Sequence, residues 1–213
     1  GALADADWNV LKFLDATKKP AAAALAQPVN ASATDDQVSI AVNSALYDGV
    51  RLAFDWTVAN ANPEKPVFLQ LDDFSVNHVK VSSDGVDSFD GIWLDEDFDD
   101  GTFQDGEWID LPSSIRGSVL HVSITMGVYR PKLPIYRMSP YDETLAKQKL
   151  ADGYLVIPDG SGYVVSDPEE GLICIAQSGK NRYENLFDYH ALTLTFDVDT
   201  KAGKAAAMKL VTE

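Results

Sequence analysis

The chain is poor in the residues on which most protein chemistry depends. Its 213 residues include one cysteine, Cys174, and three histidines, His78, His121 and His190. A single cysteine excludes an intrachain disulfide. Cys174 sits in the apolar run Leu172-Ile173-Cys174-Ile175-Ala176. With no basic partner nearby in sequence, it reads as a small core residue rather than a nucleophile. The histidines are far apart, and no His-x-x-x-His or Cys-x-x-Cys pair points to zinc. Gly-x-Ser-x-Gly elbows, phosphate loops and Gly-x-Gly-x-x-Gly fingerprints are missing. No apolar run reaches the ~18 residues that a membrane-crossing helix requires.

Positive charge is scarce too. There are 33 acidic residues against 17 basic ones, a net charge of −16. Such a field repels phosphate backbones and anionic headgroups, so nucleic acid and direct membrane contact are not expected as partners. A protein, a peptide or a cell-surface ligand fits better. The opening Gly1-Ala2-Leu3-Ala4 does not read as a natural start, and an upstream segment carrying an anchor is expected.

What the chain does have is strand-forming sequence. Apolar residues make up 46% of it, enough for a sizeable core. From Val38 the apolar pattern has a period of two: Val38, Ile40 and Val42 share one parity. Tyr47-Asp48-Gly49 supplies a turn, and Val50, Leu52, Phe54, Trp56 and Val58 alternate with Arg51, Ala53, Asp55 and Thr57. This predicts an antiparallel hairpin with one buried and one wet face. Val67 to Leu71, Phe74 to Val81, Leu120 to Val128 and Leu192 to Val198 continue the pattern. Helices are expected only at the margins. One spans residues 5–15, with Trp8, Leu11 and Leu14 on one face. The other opens at Ser139-Pro140, with serine as cap, and is stopped by Gly153. Residues 16–36 read as an irregular connection. Tyr154 to Ile157 and Tyr163 to Val165 flank a turn and predict a second hairpin.

These elements predict a mainly β fold: an immunoglobulin-like antiparallel β-sandwich with a short N-terminal helix and an α+β insertion before the last strand. The expected organisation is a helix and connection over 1–36, a sandwich over 37–130 and 191–213, and an inserted helix-plus-hairpin subdomain over 131–190.

The acidic run from Asp95 to Glu107 stands out. Asp95, Asp97 and Asp99 have the first spacings of a calcium-binding EF-hand loop. The match then fails, with Asp100 where glycine belongs and Gly106 where a bidentate glutamate belongs. The ordinary reading is a solvated hairpin tip. The alternative is a calcium site using Asp95, Asp97, Asp99 and Glu107; no other cofactor is expected. Trp93, Phe98, Phe103 and Trp108 crowd the same stretch. They are candidates for stacking on sugar rings, although aromatics flanking a hairpin ordinarily pack across strands. Paired carboxylates for hydrolysis of a wall polymer carry no signal here, because acids are abundant everywhere.

The block from Asp36 through Leu46-Tyr47-Asp48-Gly49-Val50 to Trp56-Thr57-Val58 resembles an extracytoplasmic domain family of unknown function. That family occurs in Gram-positive bacteria behind a single transmembrane helix, in proteins resembling anti-sigma factors. Asp7-Trp8-Asn9-Val10-Leu11-Lys12-Phe13-Leu14 is similar to the segment that follows the membrane span there, and Leu194 to Thr200 to its terminal strand. The resemblance implies an immunoglobulin-like sandwich, a cell-surface location and a sensory or interaction role, and it brings no catalytic residues. The expected function is therefore a non-catalytic extracytoplasmic sensory or interaction domain of a membrane-anchored protein. A calcium- or carbohydrate-binding adhesin-like module is the alternative, and a wall-polymer hydrolase comes last.

Overall fold

A computed structural model describes residues 23, 25–62, 65, 67–81, 92–93, 102–158, 163–164, 173–174 and 186–201. The helix expected over 5–15 lies outside them. The fold is mainly β: its two larger sheets are antiparallel and packed as a sandwich, and two further sheets have two strands each. In chain order, β1 (Gln27–Thr34), β2 (Val38–Tyr47) and β3 (Arg51–Asn60) are followed by β4 (Phe68–Val76), β5 (Val79–Lys80) and β6 (Ile92–Trp93). Then come β7 (Thr102–Asp110), β8 (Val119–Pro131) and, after an intervening segment, β13 (Phe187–Asp199). The first sheet has the order β1-β2-β3-β7. The second has the order β13-β8-β4-β5, with β6 also paired to β4.

The alternating apolar rows of both sheets meet in one core. Phe54 of β3 stacks on Phe74 of β4 with ring centroids 6.1 Å apart. Phe196 of β13 meets Phe54 edge-on at 5.9 Å. Fully burying a side chain of this size contributes about 1.5–3 kcal/mol, so the inter-sheet contact rather than any single strand holds the fold. Two polar ties close its ends. At one end the Gln27 side chain exchanges hydrogen bonds with the Asp199 backbone, at 3.0 and 2.8 Å. At the other the Arg130 guanidinium pairs with the Asp35 carboxylate.

β2 and β3 are hairpin partners in one sheet, and the chain passes to the other sheet between β3 and β4. The irregular connection expected over 16–36 contains a strand. β1 pairs with β2, and its Val29, Ala31 and Ala33 pack on the core. Small side chains on the inward row, with Pro28 and Asn30 at a register shift, hide its period. Proline is tolerated there because β1 is an edge strand.

The expected wet face of β3 is also partly covered. Ala53 and Asp55 are buried, because Leu25, Ala26 and Trp108 pack with Leu46 and Ala53 on that side.

Between β8 and β13 the chain forms a β-α-β unit. β9 (Ile135–Met138) and β10 (Leu155–Pro158) are parallel, joined through α1 (Glu143–Ala151). The cap of α1 is Asp142 rather than Ser139: its side chain accepts from the Leu145 N–H at 2.8 Å. Gly153, at φ +88°, ends the helix as expected. Its N–H and that of Tyr154 bond back to the carbonyls of Leu150 and Lys149, the pairing that makes glycine favourable at this position. The turn of the hairpin expected between Tyr154–Ile157 and Tyr163–Val165 lies outside the described residues. β10 takes β9 as its partner, and β11 (Tyr163–Val164) pairs with β12 (Ile173–Cys174). Leu155 packs with Phe68, Tyr129 and Phe187 on the outer face of the second sheet.

Candidate functional site

The two flanks of the acidic run go to different sheets. Trp93 in β6 sits opposite Phe68 of β4, whereas Phe103, Glu107 and Trp108 in β7 sit opposite Val58, Phe54 and Ala53 of β3. A hairpin with an acidic tip is therefore not what joins them. A chain crossing between sheets carries the same local pattern as a turn. Asp95, Asp97, Phe98 and Asp99 lie outside the described residues. Glu107 is 2% exposed, on the same face of β7 as Ile109. Trp108 is half-buried against Leu46 and Ala53, with the Arg51 guanidinium 5.3 Å from its ring centre. Among the described residues, no group of three or more histidine, cysteine or acidic side chains is arranged to hold a metal.

A cavity of about 540 Å³ opens instead at the end of the sandwich where β2 turns into β3. Its wall is the Tyr47-Asp48-Gly49-Val50 turn, faced by the connection from β7 to β8 and by Thr200 after β13. The turn follows directly from its residues. Asp48 Oδ1 accepts the Val50 and Arg51 N–H groups at 2.9 and 2.7 Å. Gly49 takes φ +104°, a conformation open to glycine without strain. The floor is the rim of the core, formed by Leu111, Ile115 and Leu120. Val50 stands 62% exposed at the mouth.

Most polar groups of the cavity are engaged within the fold. The Tyr47 hydroxyl donates to the Gly49 carbonyl at 2.7 Å, and the Thr200 hydroxyl to the Gly117 carbonyl at 2.7 Å. Asp48 Oδ2 takes the Arg51 Nε–H at 3.1 Å. Burial pushes the Tyr47 hydroxyl above its ordinary pKa, the Asp48 carboxylate adds to that, and the Arg116 guanidinium opposes it. Arg116 is exposed and oriented by its Nε–H bond to the Ser113 carbonyl at 2.7 Å. Its terminal nitrogens make no ion pair among the described residues. The floor residues Leu111, Ile115 and Leu120 are themselves buried in the core, so the side chains that the cavity exposes include Val50 and Arg116.

Of the other candidate groups, His121 faces solvent as its parity predicts. It lies opposite Asp197, with Nδ1 2.6 Å from Oδ1 and both side chains more than 60% exposed. The Tyr47-Asp48-Gly49 turn is readable in the sequence, whereas Arg116 enters from a loop with no pattern to mark it. The chain matches no protein-family model, and no curated protein matches it.

Proposed function

We propose that the chain is a non-catalytic sensory or interaction domain, displayed outside the cytoplasm of a Gram-positive bacterium and anchored by a membrane helix elsewhere in its protein. One observation carries this reading. The Tyr47-Asp48-Gly49 turn, the centre of the resemblance to an extracytoplasmic family, forms one wall of the cavity. The two-sheet scaffold suits that role, since it fixes loops at its ends while the strands carry stability. The sandwich supports the reading at the level of architecture: with the edge strand β1 left out, the orders β2-β3-β7 and β13-β8-β4-β5 are consistent with those of an immunoglobulin domain.

The reading is tested on the full-length protein in intact cells. A membrane-impermeant amine-reactive biotin should label it without lysis, and the protein should sediment with membranes. Labelling that requires lysis would contradict it.

A further inference from the structure

We propose that β1 is a hinged strap: fixed at its Asp35 end and latched at its Gln27 end, it opens ahead of the rest of the sandwich and lays bare the pairing edges of β2 and β13. The strand is held lightly along its length. None of its eight residues is buried, whereas Val38, Ile40 and Val42 of β2 beneath it are. Its inward row, Val29, Ala31 and Ala33, is small and only partly buried, and little apolar area gives little hydrophobic stabilisation. Its ladder with β2 is interrupted between Pro28 and Ala31, where Asn30 takes φ +55°, a conformation uncommon outside glycine. Few buried apolar contacts and a broken ladder are the marks of a segment that opens before the core does.

The two ends are held unequally. At the hinge, Asp35 Oδ1 accepts the Gln37 and Val38 N–H groups at 2.8 and 2.7 Å. Arg130 bonds there to both the Asp35 carboxylate and Gln37 Oε1. At the latch, the Gln27 side chain holds the Asp199 backbone through two exposed hydrogen bonds, and Leu25 and Ala26 beside it are only partly buried. Those two bonds also give the direction of the β13 backbone. Asp199 turns its N–H and carbonyl away from β8, whereas the Thr200 N–H bonds to the Ser118 carbonyl. The register of β13 on β8 is unbroken, so Asp197, Thr195, Thr193 and Ala191 also turn their backbone groups outward, on the side where β1 lies. Among the described residues β13 pairs with β8 alone. Gln27 thus stands in for a backbone amide at one point of an otherwise unpaired edge, which β1 shields as a covering segment does. Its release frees two neighbouring edges at once.

The test is residue-resolved amide hydrogen exchange on the 213-residue chain. The Asp35 N–H bonds to the Val38 carbonyl and the Ala61 N–H to the Gln37 carbonyl. By the alternation of an antiparallel ladder, Ile40 and Val42 therefore bond toward β1, and Ser39 and Ala41 toward β3. The amides of Ala33, Ile40 and Val42 should exchange together, at least about tenfold faster than those of Ser39 and Ala41. Gln27→Ala should speed the first group by about a further tenfold, the scale of two hydrogen bonds, and leave Ser39, Ala41 and Leu194 unchanged. Equal rates for the two sets of β2 amides would overturn the proposal. So would a Gln27→Ala effect that is absent, or that is spread evenly over the sandwich. The strap is a property of the fold: its failure would leave cell-surface labelling intact, and loss of that labelling would leave the strap intact.

Discussion

The Tyr189 hydroxyl of β13 donates a hydrogen bond to the Asp72 carboxylate of β4, passing over Gly127 of the strand between them. The contact depends on that glycine. A Cβ there would lie 2.8 Å from Asp72 Oδ2 and 2.9 Å from Tyr189 Cε2. Asp72 is brought within reach by the register shift between Leu71 and Asp73. Gly127→Ala should therefore destabilise the fold by about 1–2 kcal/mol in urea unfolding, because it displaces both partners. Tyr189→Phe, which removes only the hydrogen bond, should cost about 0.5–1.5 kcal/mol. An alanine variant as stable as the parent would show that the outer face is looser than the geometry indicates.

Asp35 ties the β1–β2 turn to Arg130 at the end of β8. Burial raises its carboxyl pKa, but the Val38 N–H, the Arg130 guanidinium and the Gln37 N–H outweigh burial and hold it below the ordinary 3.8. A carboxyl depressed in the folded state stabilises above its unfolded-state pKa and loses that contribution as pH falls through the folded value. Asp35→Asn should thus cost about 2 kcal/mol at pH 7, the scale of charge-assisted hydrogen bonds. The gap from the parent should shrink as the pH drops below about 4. Denaturant melts from pH 2 to pH 7 give both curves; a gap independent of pH would contradict this assignment.

Asp55 is 2% exposed. Its Oδ1 accepts the Ser44 N–H and hydroxyl, both at 2.6 Å, and its Oδ2 accepts the Asn43 amide at 3.2 Å. These bonds fill the register shift between Val42 and Ala45 in β2, so the carboxylate pins a bulge. Asp55→Ala removes the two short bonds to buried Ser44 and should destabilise by about 2–4 kcal/mol. Asp110→Ala, at an exposed position in β7, should stay within about 0.5 kcal/mol of the parent. Equal melting temperatures for the two variants would count against the buried network.

The inner strands were legible because large apolar residues mark their period. Val38-Ile40-Val42 and Leu192-Leu194-Phe196-Val198 leave one parity no alternative but the core. β1 escaped because alanine does not distinguish an inward row from a loop, and its pairing depends on β2. The face of β3 carrying Asp55 looked wet because the residues covering it, Leu25 and Trp108, come from distant parts of the chain. The crossing from β6 to β7 is likewise set by the two sheets, each of which offers a pairing edge. At the cavity, Asp48-Gly49 was readable as a turn through its local backbone demands. The position of Arg116 opposite that turn follows only from the packing of the two sheets.

The central claim is that the Tyr47-Asp48-Gly49 end of the sandwich is the binding surface. A photo-reactive residue placed at Val50, compared with one at Thr193 on the outer face of β13, tests it in the full-length protein in living cells. Mass analysis of the recovered chain should show an adduct of defined mass at position 50 and none at 193. No adduct at 50, or equal adducts at both positions, would contradict the account.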